Sequence, residues 1–142
     1  MFTHRLPRSL RALAGAALVL AACDSPTEPP SVASVAGEYG PTEFVVTLPD
    51  GVIHPLRSGG DLDLTLRVDG TTDGRLHLPG MDEDGGDFDA DLAGRWTLRG
   101  DTVRFQHDAD TFLRDMNFIV EGSRLEGTHT FGEGNIRITL RK

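Results

Sequence analysis

Apolar and polar residues alternate with a period of two through most of this 142-residue chain. The stretch DLDLTLRVDG, residues 61–70, carries leucine or valine at every even position from 62 to 68. The same alternation recurs in RWTLRGDTVRF (95–105), FLRDMNFIVEG (112–122) and NIRITLRK (135–142). Successive side chains of a β-strand point to opposite faces, so this period predicts strands with one buried face. No window of a dozen residues has the 3.6-residue period of an amphipathic helix.

Short turn sequences separate these segments and predict how the strands connect. Because tight turns join antiparallel neighbours, we predict an all-β meander of eight or nine strands in sequence order. The turn sequences are Pro49-Asp50-Gly51, Asp69-Gly70, Gly100-Asp101, Gly122-Ser123 and Gly132-Glu133-Gly134.

A long meander with one apolar face can close into an up-and-down barrel or fold over as a β-sandwich. We favour the closed barrel, because closure removes the exposed sheet edges that a monomer must otherwise protect. The β-sandwich is the alternative. Interior side chains in the barrel would include Leu64, Leu66 and Phe105.

Two short motifs point to a particular kind of barrel. Gly37-Glu38-Tyr39 and Gly94-Arg95-Trp96 each resemble the Gly-x-Trp signature of lipocalin-like barrels. The chain over residues 36–142 is in this respect similar to small lipocalin-like domains of bacterial lipoproteins. The resemblance implies a barrel fold and a binder of small apolar or amphipathic molecules.

The first 22 residues differ in composition from the rest of the chain. Arg5, Arg8 and Arg11 form a basic start, and about eleven small or apolar residues follow from Ala12 to Ala22. This layout is typical of a signal peptide. A membrane-spanning helix needs about 20 apolar residues, so this run is too short to anchor the chain.

The only cysteine of the chain follows this apolar run directly. Leu20-Ala21-Ala22-Cys23 resembles the lipobox of bacterial lipoproteins, which implies cleavage before Cys23 and a diacylglycerol on its thiol. Two or three acyl chains, palmitate among them, would anchor the protein stably in a membrane of the bacterial envelope, facing the periplasm or the cell surface. An ordinary signal peptide with an unrelated cysteine is the alternative.

Three regions follow from these features. Residues 1–22 are the predicted signal peptide, residues 23–35 the lipidated cysteine with a proline-rich linker, and residues 36–142 the β-barrel domain. Cleavage removes three of the 14 Lys and Arg but none of the 22 Asp and Glu. The mature net charge of about −11 excludes nucleic acid as a partner, because its phosphates would be repelled.

The segment MDEDGGDFDADL holds six carboxylates between residues 82 and 91. Calcium prefers such oxygen ligands, but the EF-hand order fails because Asp87 occupies the position of the invariant glycine. Asp87, Asp89 and Asp91 also alternate with apolar residues, which favours a strand with one solvated face. We therefore predict no metal site and no other cofactor.

A few polar residues fall in phase with apolar faces and form the predicted ligand site. His107 is in phase with Phe105, and His129 and Arg114 also fall on apolar faces of their segments. Such groups could converge in or at the end of the barrel and bind an anionic or carboxylate-bearing ligand. The alternative is that each lies at a strand end in contact with water or a backbone carbonyl. The full set of candidate ligand-binding residues is Trp96, Phe105, His107, Arg114, Phe118 and His129.

Catalytic motifs are missing from the sequence: it has no nucleophile elbow and no phosphate-binding glycine loop before a helix. We therefore predict that the protein is not an enzyme. Two functions remain, namely a non-catalytic interaction module that contacts another envelope protein, and a lipocalin-like binder of a small apolar or amphipathic ligand.

Overall fold

The computed structural model describes residues 28–142, so the predicted signal peptide, Cys23 and the first part of the linker lie outside the described residues. Ten strands, one short α-helix and two 3₁₀ turns make up the described chain. The helix α1 spans Val32–Val35, and the 3₁₀ turns span Pro55–Ser58 and Phe112–Arg114. The strands are β1 (Gly37–Leu48), β2 (Gly51–Ile53), β3 (Asp61–Leu66), β4 (Thr71–Leu78), β5 (Phe88–Asp91), β6 (Gly94–Arg99), β7 (Thr102–His107), β8 (Asn117–Glu121), β9 (Arg124–Phe131) and β10 (Gly134–Arg141).

Eight of the strands form a closed antiparallel barrel, which confirms the predicted fold class. They follow the order β1-β3-β4-β6-β7-β8-β9-β10, and β10 returns to pair with β1 from Gly40–Arg141 to Thr47–Asn135. The remaining strands, β2 and β5, lie outside this ring and pair with β1 and β4. The architecture fits a lipocalin-like barrel.

The connections divide the barrel into two ends. At one end, which we call the base, lie the β3–β4, β6–β7 and β8–β9 turns, the helix α1 and the C-terminal Lys142. At the other end, which we call the mouth, lie the four connections 49–60, 79–87, 108–116 and 132–133. Consecutive antiparallel strands run in opposite directions, so their turns fall alternately at the two ends.

Alternating side chains from every barrel strand fill the interior. Leu62, Leu64 and Leu66 of β3 are at most 2% exposed, while Asp61 and Asp63 on the other face of the strand point to solvent. The largest fully buried residues are Phe118, Leu62, Leu64, Leu66, Leu76, Leu92, Leu113, Met116, Leu125, Ile138, Leu140 and Val35. A core of this composition stabilises the barrel through about 25 cal/mol per Å² of apolar surface removed from water.

The base is closed by aromatic residues of both Gly-x-aromatic motifs. The Tyr39 hydroxyl donates a 2.6 Å hydrogen bond to the carbonyl oxygen of Val35, and the Trp96 Nε1–H donates one of 2.8 Å to that of Arg67. Burial raises the pKa of Tyr39 to about 12. Each ring is therefore buried with its polar atom satisfied, as large aromatic residues in cores require.

The structure differs from the prediction at three places. Val68 is 68% exposed, because β3 ends at Leu66 and the chain enters the turn before Gly70. Within the predicted linker 23–35, Val32–Val35 form the helix α1, and Val35 packs into the core.

The third difference lies in the segment 112–122, which we predicted as one continuous strand. Residues Phe112–Arg114 form a 3₁₀ turn, and β8 begins only at Asn117. The side chains of a 3₁₀ turn do not alternate. The predicted strand face shared by Arg114, Phe112 and Met116 is therefore wrong, and Arg114 lies at the surface. No helix among residues 28–142 has the length and apolarity needed to cross a bilayer.

Candidate functional site

The mouth of the barrel contains an apolar depression, which we call the mouth cleft. Its volume is about 180 Å³. Two of its residues are unusually exposed for their type, since Met81 is 37% and Phe131 is 39% accessible. The cleft is lined by Phe44, Val46, Leu78, Met81, Phe88, Phe112, Phe131 and Ile136, all of them apolar.

Five strands and two mouth connections supply these lining residues. Phe44 and Val46 come from β1 and Ile136 from β10, whose pairing closes the barrel. Phe112, on the 3₁₀ turn, packs its ring 5.9 Å from that of Phe44 at an interplanar angle of 60°. The cleft is thus the upper surface of the core, left uncovered where the strands end.

The connection between β4 and β5 forms one side of the mouth cleft and is strongly acidic. Backbone hydrogen bonds of 2.8 Å from Gly85 to Asp82 and 2.9 Å from Asp82 to Gly86 hold it in a compact turn. The Asp87 carboxylate accepts a hydrogen bond from the Gly80 N–H at 3.1 Å. The connection is therefore ordered by its own backbone contacts.

Beyond Asp87, the acidic segment continues as β5, as its alternation predicted. Asp89 and Asp91 are exposed and Ala90 is buried, so the strand has one solvated face. Arg75 donates hydrogen bonds to Asp89, and His77 contacts the same carboxylate, so the pKa of Asp89 is lowered. Within the part of the chain that the structure describes, no three His, Cys, Asp or Glu residues are placed to hold a metal ion.

A second surface feature, which we call the wall groove, lies on the barrel wall. β7 and β8 pair at only two positions, Thr102 with Ile119 and Val103 with Phe118. The wall groove has a volume of about 570 Å³ and is formed by β6, β7 and the connection 108–116. Its lining is mainly polar and comprises Thr97, Arg99, Thr102, Arg104, Phe105, Gln106, His107, Arg114 and Asp115.

The structure brings three of the six predicted ligand residues together at this groove, namely Phe105, His107 and Arg114. Phe118 is fully buried, with its ring 5.1 Å from that of Phe105. Trp96 lies instead at the base, where it is buried and hydrogen-bonded. The half-buried His129 on β9 is not among the groove's lining residues.

His107 is a buried core residue rather than an exposed ligand-binding side chain. It is 4% exposed and stacks on Phe105 with ring centroids 5.3 Å apart. Neither ring nitrogen has a hydrogen-bond partner among residues 28–142. Its pKa is lowered from 6.5 to about 4, mainly by burial and also by the positive charge of Arg114, against the opposing effects of Asp108 and Asp91. The imidazole is therefore neutral at pH 7.

Sequence reasoning did not find the mouth cleft. Its lining residues are scattered over 93 positions, from Phe44 to Ile136, and each belongs to an ordinary strand or turn. The available signal was the pair of large apolar residues inside turn-forming segments, Met81 before an acidic run and Phe131 before the Gly132 turn.

The function of this protein has to be inferred from its geometry. The closed barrel, its closed base and its apolar mouth are the features from which a role can be inferred. No family model, no curated protein and no solved structure matches this chain.

Proposed function

We propose that the protein is a lipid-anchored lipoprotein of the bacterial envelope whose small β-barrel is a non-catalytic interaction module. The mouth cleft is the surface that meets the partner. The observation that carries this proposal is that an exposed apolar cleft lies at the end of the barrel opposite the N-terminal segment. The anchor predicted at Cys23 would therefore hold the base toward the membrane and leave the mouth free.

Contacts at the base support this orientation. The Lys142 Nζ donates hydrogen bonds to the carbonyl oxygens of Ser34 and Ala36, and Val35 is buried in the core. These contacts hold α1 against the first and last strands, so the chain that precedes it begins at the base. A proline-rich spacer adds about 3.1 Å per residue in its extended form, which separates the barrel from the bilayer.

The dimensions of the mouth cleft favour a protein partner over a separate ligand. Pockets for drug-sized molecules measure about 300–1,000 Å³, whereas the cleft offers about 180 Å³. A space of this size suits one or two apolar side chains of a docked protein. Apolar side chains seated in pockets commonly dominate the energy of such interfaces.

Small-ligand binding is the second candidate, and one observation favours it. All eight lining residues of the mouth cleft are apolar, so a short alkyl chain or ring would also lose unfavourable contact with water there. A ligand of this kind would have to protrude from the cleft, because the interior below is occupied by buried leucine and phenylalanine side chains.

The anchor is tested by replacing Cys23 with alanine. We expect the wild-type chain to incorporate a fatty-acid probe and to sediment with membranes, because two or three acyl chains bind a bilayer stably. The Cys23→Ala variant should lose the label and move to the soluble fraction. A Ser25→Ala variant serves as the control and should behave as wild type. Equal membrane association of all three chains would contradict lipidation.

The contact surface is tested by photo-crosslinking in the host cell. A crosslinking amino acid replaces Met81 at the mouth cleft in one chain and Val68 at the base in another, since both positions are exposed. We expect a discrete protein adduct from position 81 and none from position 68. An adduct of low mass from position 81 would favour the small-ligand function instead. Equal patterns from both positions would contradict a role of the mouth.

A further inference from the structure

The negative charge of the barrel is concentrated at the mouth. The four mouth connections contain nine Asp and Glu residues and only two arginines, Arg57 and Arg114. In the connections of the base, residues 28–36, 67–70, 100–101, 122–123 and 142, three acids face two basic residues. The acids of the mouth are all exposed and comprise Asp50, Asp82, Glu83, Asp84, Asp87, Asp108, Asp110, Asp115 and Glu133.

Three of the four connections place this charge next to lining residues of the mouth cleft. The same connection that supplies Met81 to the cleft continues with Asp82, Glu83 and Asp84, and Phe131 is followed two residues later by Glu133. Phe112, a third lining residue, lies between Asp110 and Asp115. An occupant of the cleft therefore places its flanking groups next to carboxylates.

Six of these nine carboxylates have no hydrogen bond or ion pair with residues 28–142. Asp82 and Asp87 accept hydrogen bonds from backbone N–H groups of their own connection, and Asp110 pairs with Arg114 at 3.3 Å. The carboxylates of Glu83 and Asp84 have no hydrogen bond or ion pair with the described residues 28–142. A partner that brings positive charge can engage them without breaking an existing contact.

We infer that the mouth docks a cationic amphipathic segment of another protein, in which an apolar side chain enters the cleft and lysine or arginine residues meet the surrounding carboxylates. This inference rests on the proposed function and adds the chemistry of the partner. Complementary charge steers such an encounter and repels acidic surfaces, including anionic lipid headgroups.

The spread of the charge selects a peptide over a small cation. Eight strands about 4.8 Å apart form a ring that is roughly 15 Å across once strand tilt is included. A single amine cannot reach carboxylates on opposite sides of such a ring. A chain segment with several positive side chains can contact more than one connection while its apolar group occupies the centre.

The test uses the full chain with Cys23→Ser and a short synthetic peptide that contains lysine and phenylalanine. Binding is measured by calorimetry, and the contact surface by amide chemical shifts. Replacing Glu83 with Gln and Asp84 with Asn should weaken binding about tenfold at an ionic strength of about 0.1 M, a loss of about 1.4 kcal/mol. Replacing Phe131 with serine should weaken binding at unchanged charge.

The matched control changes the same two residue types outside the mouth. Glu38 on β1 and Asp63 on β3 are exposed, and their carboxylates accept no hydrogen bond from the described residues. Glu38→Gln with Asp63→Asn should change peptide affinity by less than about twofold. At an ionic strength of about 0.1 M, the attraction between exposed charges is largely screened beyond about 10 Å. Equal weakening by both double variants would overturn the inference, since it would show only diffuse attraction to net charge.

Two altered peptides test the two parts of the proposed partner. A peptide with glutamate in place of each lysine should not bind, and one with serine in place of each phenylalanine should bind more weakly and without shifts at the mouth cleft. Unchanged binding of either peptide overturns the inference. If the crosslink from position 81 captures a partner that lacks a basic segment, the proposed function stands and this inference fails. If that crosslink captures nothing, the proposed function itself fails, whatever the peptide does.

Discussion

Replacing Gly74 with alanine should lower the free energy of unfolding by about 3 kcal/mol or more, a large part of the 5–15 kcal/mol that stabilises a typical domain. Gly74 has a φ of +143°, a backbone conformation that L-residues with a Cβ adopt only with strain. A Cβ atom at this position would lie 2.9 Å from the carbonyl carbon of Asp63 on β3 and closer still to its oxygen. Because the obstacle is backbone, relief would require β3 and β4 to separate. Urea unfolding followed by circular dichroism measures the loss.

The control for this substitution is Gly40→Ala. Gly40 also lies in a strand, its φ is not positive, and a Cβ there would meet no atom within 4 Å. We expect a change within about 0.5 kcal/mol. Equal stability of the two variants would contradict the pairing of Gly74 with Leu64 in the β3–β4 ladder.

The stability of the barrel should fall as the pH is lowered from about 6.5 to about 4, and His107 should account for most of the change. In the unfolded chain a histidine binds a proton near pH 6.5, whereas in the folded barrel the pKa of His107 is about 4. The unfolded state therefore binds more protons in this window. The full difference amounts to roughly 3 kcal/mol, present above pH 6.5 and lost below pH 4.

The variant that checks this prediction is His107→Leu, which places an apolar side chain of similar size against Phe105 and cannot bind a proton. Its unfolding free energy should stay nearly constant between pH 6.5 and 4. Hydrogen bonds lower the pKa values of Asp69, Asp73 and Asp89, so these carboxylates lose their contribution only as the pH falls below the ordinary aspartate value of about 3.9. A wild-type slope retained in His107→Leu would show that another group titrates in this window.

The fold was predictable because the strands follow local rules. The alternation in β3 and β10 predicts strands, and short turns between strands predict antiparallel neighbours. Neither prediction requires knowledge of the complete fold. The turns contain Gly70, Gly100, Gly122 and Gly132. The interruption between β5 and β6 was harder to predict. Leu92 is buried there, and its N–H donates a hydrogen bond to the carbonyl of Gly74. The alternation of buried and exposed residues therefore continues through this segment, although β4 pairs with β6 at its start and with β5 at its end.

The candidate site was predictable only in part. Phase along β7 correctly placed His107 and Phe105 on the buried face. Arg114 was misjudged because apolar residues at 112, 116 and 118 imitate a strand, while residues 112–114 form a 3₁₀ turn. The mouth cleft depends on which side chains meet above the core, and the strand period carries no information about contacts between distant connections.

The pairing of β1 with β10 has a consequence for how the chain acquires its structure. Partners such as Gly40 and Arg141 are about one hundred positions apart, and bringing such distant segments together carries an entropic cost that slows folding. The ring cannot be completed until its final strand is available, so a chain still being synthesised exposes unpaired edges on β1 and β9. A nascent chain of this type must remain protected from aggregation until β10 has been released.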